Sequence, residues 1–155
     1  MSGLTFFDTS VLIPALIDMG EPSEPAQALM ELVAEKELAP VATAWHCCLE
    51  TWSVTTRLPG ELRLQPADAL RLIEHEILAR FEVLQLAAKH QAGLLQAATK
   101  YRIVGGRIYD AHLAEVAWRA GVEVVVTENR RDFLTLLDRG VRVLESRELL
   151  HELGK

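Results

Sequence analysis

The sequence predicts a three-layer α/β/α sandwich on a parallel central sheet of about five strands, folded as a single domain over residues 1–155. Three observations predict it. Short apolar runs alternate with stretches of helical period, and strands separated by helices need crossover connections that build a parallel sheet covered on both faces. The runs favour β-branched and aromatic residues, most clearly Val122–Val126. The chain has 155 residues, half apolar and a quarter charged, without repeats, linkers or low-complexity segments, which suits one core.

The elements follow in order. Leu4–Phe7 is a buried strand, and Asp8-Thr9-Ser10 after it starts a helix over Val11–Asp18. Gly20-Glu21-Pro22-Ser23 breaks that helix, and Glu24–Lys36 forms the next. Leu38–Ala42 is the second strand, with Thr43 as the cap of a helix reaching Arg57. Pro59-Gly60 is a turn, and Pro66 sits in the first turn of a helix that runs to Ala79. Phe81–Leu86 alternates as a strand, and Ala87–Tyr101 is helical. Gly105-Gly106 is a hinge before a helix over Arg107–Ala120, which Gly121 closes. Val122–Val126 is the next strand, Arg130–Asp138 a short helix, Val141–Leu144 the last strand, and Ser146 opens a terminal helix.

Bulk properties narrow the function. The formal net charge of −6 argues against nucleic-acid binding by overall attraction, so any such contact needs a local patch. A bound cation would neutralise part of that charge. Cys47 and Cys48 are adjacent, which suits neither a disulfide framework nor a zinc site and leaves them as buried small side chains. His46, His75, His90, His112 and His151 show no zinc spacing and read as surface or partly buried residues. Trp45, Trp52 and Trp118 read as core or subunit-interface residues. No apolar run approaches the ~20 residues of a membrane span, and the first residues lack the features of a signal peptide. The expected location is the cytoplasm, with no membrane partner.

In open parallel sheets, sites form beyond the carboxyl ends of the strands, near a switch in strand order. Asp8 ends the first strand there; its alternative role is a helix N-cap. Asp110 sits in the first turn of its helix and shares a face with Leu113, Ala114 and Ala117, an arrangement that asks for a cation or another partner. Its alternative is service to the helix dipole. Glu50 lies among Cys47, Cys48, Leu49, Trp52 and Val54, or else on a polar face with His46, Ser53 and Arg57. Asn129 follows the Val122–Val126 strand, and Asp132 falls in the first turn after it. Oxygen ligands gathered from separate elements suit Mg²⁺ or Mn²⁺, and the chemistry that follows is metal-assisted attack of water on a phosphodiester.

Four segments then resemble the motifs of PIN domains. Phe7-Asp8-Thr9-Ser10-Val11-Leu12 resembles the opening motif, and Glu50 resembles the second acid. Ile108-Tyr109-Asp110-Ala111-His112-Leu113-Ala114 resembles the third motif, and Val126-Thr127-Glu128-Asn129-Arg130-Arg131-Asp132-Phe133 the fourth. The resemblance implies a PIN-like fold and an endoribonuclease with Asp8, Glu50 and Asp110 as Mg²⁺ or Mn²⁺ ligands, Asn129 completing the catalytic set. It also implies a VapC-type toxin of a type II toxin–antitoxin pair, with a small antitoxin encoded beside it. The fourth position often carries Asp, and Asn129 there makes a second tightly bound metal less favourable. Asp132 ranks behind Asn129, because three residues along an α-helix turn it away by about 300°. Thr9, Ser10, Arg107, Thr127, Arg130 and Arg131 are candidate substrate contacts, the arginines through RNA phosphates.

The rival readings are weaker. A haloacid dehalogenase-type phosphotransferase needs Asp where Ser10 stands, and a nucleotide-binding Rossmann domain needs a glycine-rich turn after the first strand. The alternative of another class is a non-catalytic PIN-like scaffold for RNA or protein. The apolar helices Pro25–Val33 and Thr43–Val54 suggest a homodimer. An acidic cleft would attract the basic segment of an inhibiting partner.

Overall fold

The computed structural model describes residues 3–155 and holds a five-stranded sheet in the order β3-β2-β1-β4-β5, with every pairing parallel. The strands are β1 (Leu4–Phe7), β2 (Val41–Ala44), β3 (Glu82–Leu84), β4 (Val122–Val126) and β5 (Arg142–Leu144). The helices are α1 (Thr9–Leu16), α2 (Glu24–Ala34), α3 (Trp45–Thr55), α4 (Pro66–Leu72), α5 (Ala88–Lys100), α6 (Arg107–Arg119) and α7 (Ser146–Glu152). Helices α1, α2, α3, α4 and α7 pack among themselves, while α5 packs on α6 and α6 on the segment after β4. With right-handed crossovers these two groups cover the two faces of the sheet.

The chain builds outward from β1 to β3 on one side, then returns to add β4 and β5 on the other. Connections therefore leave in opposite directions at the β1–β4 pair, where Phe7 lies opposite Val126. Both central strands are apolar because helices cover both their faces. Phe6, Phe7, Val124, Val125 and Val126 are fully buried, each large side chain contributing about 1.5–3 kcal/mol. Phe81, just before edge strand β3, packs edge-on against Phe7 with ring centroids 5.1 Å apart.

Three elements depart from expectation. The second strand runs over Val41–Ala44 rather than Leu38–Ala42, because Pro40 has no N–H to give a ladder. Thr43 consequently lies inside the strand and caps nothing; its buried hydroxyl donates to the Phe7 carbonyl at 2.7 Å. The helix from Pro66 passes at Ile73 into a π-helical turn, Ile73–Leu78, with Ile73 and Ile77 buried. The segment Arg130–Arg139 is a 3₁₀ helix, not an α-helix.

Gly121 closes α6 as expected, with φ +74° and its N–H donating to the Trp118 carbonyl at 3.1 Å. A Cβ there would meet nothing within 4 Å, so the only cost of a side chain is the left-handed backbone. Gly93 lies exposed inside α5 with equally open surroundings. Gly121→Ala should lower unfolding free energy by about 1 kcal/mol, and Gly93→Ala should raise it by about 0.5–1 kcal/mol. Urea unfolding of both variants checks the opposite signs.

Candidate active site

Asp8 and Thr127 are the first residues past the ends of β1 and β4. The Asp8 N–H extends the ladder to the Val126 carbonyl at 3.0 Å. Asp8 occupies the N-cap position of α1, yet its side chain makes no capping hydrogen bond. Its buried carboxylate instead accepts two hydroxyl bonds on Oδ2, from Ser10 Oγ at 2.7 Å and Thr127 Oγ1 at 2.9 Å. The capping alternative falls, and Oδ1 is left without a hydroxyl donor. The loop after β4 is tied down by the same hydroxyls. Glu128 N–H donates to Ser10 Oγ at 2.9 Å, and Asn129 N–H to Thr127 Oγ1 at 3.0 Å.

Glu50 arrives from α3. Its Oε1 accepts from Thr9 Oγ1 at 3.2 Å and lies 3.1 Å from His46 Nε2, one helical turn earlier. Asp110 arrives from the first turn of α6. Burial pushes its carboxyl above the usual range, and the nearby charges of Asp132, Asp8 and Glu50 push the same way against Arg107. Asp8, Glu50, Asp110, Asn129 and Asp132 line one cleft of about 190 Å³, walled by Ile13, Leu113 and Phe133.

Asn129 and Asp132 stand together rather than apart. The expected rotation does not separate them: a turn of about 300° leaves side chains i and i+3 only about 60° apart, and Asn129 is in any case the non-helical residue that precedes the 3₁₀ helix. Asp132 thus faces the cleft together with Asn129. Of the arginines, Arg107 and Arg131 line an adjoining groove of about 370 Å³ that shares Asp110 and Asp132 with the cleft. Arg130 pairs with Glu148 on α7 at 3.1 Å. The hydroxyls of Thr9, Ser10 and Thr127 are engaged with the acids.

The donor set fits a hard divalent cation. The cleft offers carboxylate and amide oxygens from four elements, and no ion pair among the described residues involves Asp8, Asp110 or Asp132. Among the described residues, no three His, Cys, Asp or Glu side chains stand close enough together to hold a metal ion as they lie. Mg²⁺ needs no such trio, since it keeps several waters and takes one or two carboxylates. Both cysteines are buried, and burial pushes both thiols up, Cys47 to about 12 with Asp8 adding to the shift, which disfavours a thiolate nucleophile.

Sequence reasoning passed over one residue here. His46 is partly buried, pairs with Glu50, and lies nearly parallel to Tyr109 with ring centroids 5.5 Å apart. Its four-residue spacing from Glu50 was the available signal. His112 meets His46 edge to face at 6.2 Å, and burial, then His46, lower its pKa. The tryptophans are not core residues, for Trp45, Trp52 and Trp118 are all substantially exposed. Arg119 and Arg139 lie over the Trp118 ring.

The raised Asp110 pKa sets a pH dependence. Asp110 holds a proton more readily folded than unfolded, so its contribution to stability falls as pH rises through that window. Asp110→Asn removes the repulsion. Without divalent ions, the variant should unfold at a higher urea concentration than the parent at neutral pH. The difference should shrink in mild acid, where Asp110 itself becomes neutral. A lower midpoint at neutral pH would contradict the clustered-acid geometry.

The PIN domain family matches residues 5–137. Ribonuclease VapC27 of Mycobacterium tuberculosis (strain ATCC 25618 / H37Rv) is 34% identical over 123 residues, 79% of this chain and 83% of that protein. Among solved structures, FitAB bound to an IR36 DNA fragment superposes with a TM-score of 0.63 at 16% identity, covering 92% of this chain and 94% of that one. VapC20 of Mycobacterium tuberculosis, a sarcin–ricin loop cleaving toxin, superposes at 0.57 with 18% identity, covering 78% of this chain and 86% of that one. At those identities the structures speak to the fold alone, and the fold is theirs.

Proposed function

Since the chain belongs to the PIN domain family, we propose that it is an Mg²⁺- or Mn²⁺-dependent endoribonuclease, the toxin of a type II toxin–antitoxin pair. One observation carries the chemistry: Asp8, Glu50, Asp110 and Asp132 share a cleft at the switch point of the sheet. Asp8, Asp110 and Asp132 have no ion-pair partner among the described residues. Asp8, Glu50 and Asp110 would hold the ion, with Asn129 and Asp132 beside it. When bound, the ion lowers the pKa of a water and neutralises charge on the phosphate. Thr9, Ser10 and Thr127 hold the acids in place, and Arg107 and Arg131 bind the phosphates of the strand entering the cleft. Such an enzyme works in the cytoplasm, where its RNA is. The scaffold reading needs the acids to be idle, and their crowding without counter-charge supports the nuclease instead.

Asp8→Asn and Asp110→Asn should each lower RNA cleavage at least about a hundredfold while leaving circular dichroism unchanged. Mn²⁺ should raise the melting temperature of the parent and lose that effect in both variants. Full activity in either variant would overturn the assignment of that residue.

The homodimer face belongs to α3 alone. The apolar residues of α2 are spent on the core, where Ala26, Leu29, Met30, Leu32 and Val33 are buried. Trp45, Leu49 and Trp52 instead form an exposed stripe at helical spacing. An antitoxin's basic segment would enter the acidic cleft by charge attraction. Leu49→Glu should convert a dimer to a monomer in light scattering at ~100 μM, above the dissociation constant of an interface of standard size. A monomeric parent would refute the face.

A further inference from the structure

Tyr109 precedes Asp110 in the first turn of α6 and is 57% exposed, although it is one of only two tyrosines in the chain. An exposed aromatic ring is commonplace; a rigidly backed one beside an acidic cleft is not. One face of Tyr109 lies nearly parallel to His46, with 9° between the rings. His46 is itself fixed by Glu50 at 3.1 Å and flanked by His112. The ring is thus supported by the same two helices, α3 and α6, that deliver Glu50 and Asp110. The cationic groove of Arg107 and Arg131 adjoins the cleft at Asp110 and Asp132, whereas Glu50 lines it from α3 with His46 paired to it. A strand whose phosphates follow the arginines and enter the cleft therefore brings a base to the Tyr109 side.

We propose that Tyr109, backed by His46, is a stacking ledge for one unpaired nucleobase next to the phosphate in the cleft. The inference rests on the RNA-cleaving reading of that cleft. Every base has a π-face, so stacking selects an unpaired base without reading its edge. His46 acts through Tyr109 and Glu50 and is a positioning residue. A base held there would fix the adjoining sugar–phosphate relative to Asp8 and Asp110.

The test uses single-stranded oligoribonucleotides carrying 2-aminopurine at successive positions. In the full-length protein, 2-aminopurine should be quenched on binding at one position next to the cut. Tyr109→Ala should abolish that quench and weaken binding about tenfold. Tyr109→Phe and Tyr109→Trp should keep both, which a role resting on the tyrosine hydroxyl would not allow. An abasic nucleotide at the quenched position should weaken the parent but not Tyr109→Ala. Retention of the Mn²⁺ thermal shift in Tyr109→Ala shows that the cleft is intact. Cleavage that proceeds with no Tyr109-dependent quench overturns the ledge and leaves the nuclease standing. A Tyr109-dependent quench without cleavage supports the ledge and removes the nuclease. Absence of RNA binding, or loss of the dimer in Tyr109→Ala with the quench unchanged, overturns the ledge.

Discussion

The parallel pairing of β1 with β4 is the contact on which the rest of the molecule depends. It joins the first strand to one that follows more than a hundred residues later and sets Phe7 opposite Val126. The next residue on each strand, Asp8 and Thr127, then meets across the sheet edge through a 2.9 Å hydroxyl–carboxylate bond. Connections diverge at this pair, so the helices leave a gap above it. The cleft is that gap. Helix α3 enters it with Glu50 and α6 with Asp110, because α3 follows β2 directly and α6 runs back to the start of β4, so both helices begin at this carboxyl edge.

Electrostatics inside the molecule follow a division of labour. Glu115, five residues beyond Asp110 on α6, is raised by burial, but hydrogen bonds from Arg139 and Arg119 outweigh that and hold it low. Asp110 has burial and three acids against it and only Arg107, without an ion pair, for it. The first arrangement stabilises the fold by pairing charge. The second gathers like charge at a concave surface without an ion-pair partner among the described residues, which is costly. Hydroxyls rather than arginines position the acids, since a guanidinium bound bidentately would occupy the oxygens a metal needs.

The α3 and α6 helices carry two further surfaces. On α3 Trp45, Leu49 and Trp52 are exposed, while Glu50 lines the cleft and His46 pairs with it. On α6 Tyr109 stacks on His46 and Asp110 lines the cleft. The proposed self-association stripe on α3 and the proposed stacking surface on α6 thus lie on neighbouring helices, which His46 and Tyr109 join.

Much of this was legible in the sequence. Apolar strands bounded by Asp, Gly and Pro, and helices of regular period, depend on interactions within a few residues, so the sandwich and its strand count could be read directly. Asp8 stood out by ending the first strand at the carboxyl edge of the sheet, and Glu50 and Asp110 because a carboxylate among apolar residues is costly wherever the chain folds. What the structure decided was relative placement. Thr43 has the composition of a cap but donates to Phe7, because a buried hydroxyl takes the partner that the neighbouring strand supplies. Asp132 lines the cleft beside Asn129 because the segment after β4 is folded over the sheet edge, a placement that no local pattern states. His46 became part of the site only when α3 and α6 met. Local periodicity determines elements and marks the residues that are expensive to bury; which of them converge is set by contacts between segments far apart in the chain, and these exist only once it has folded.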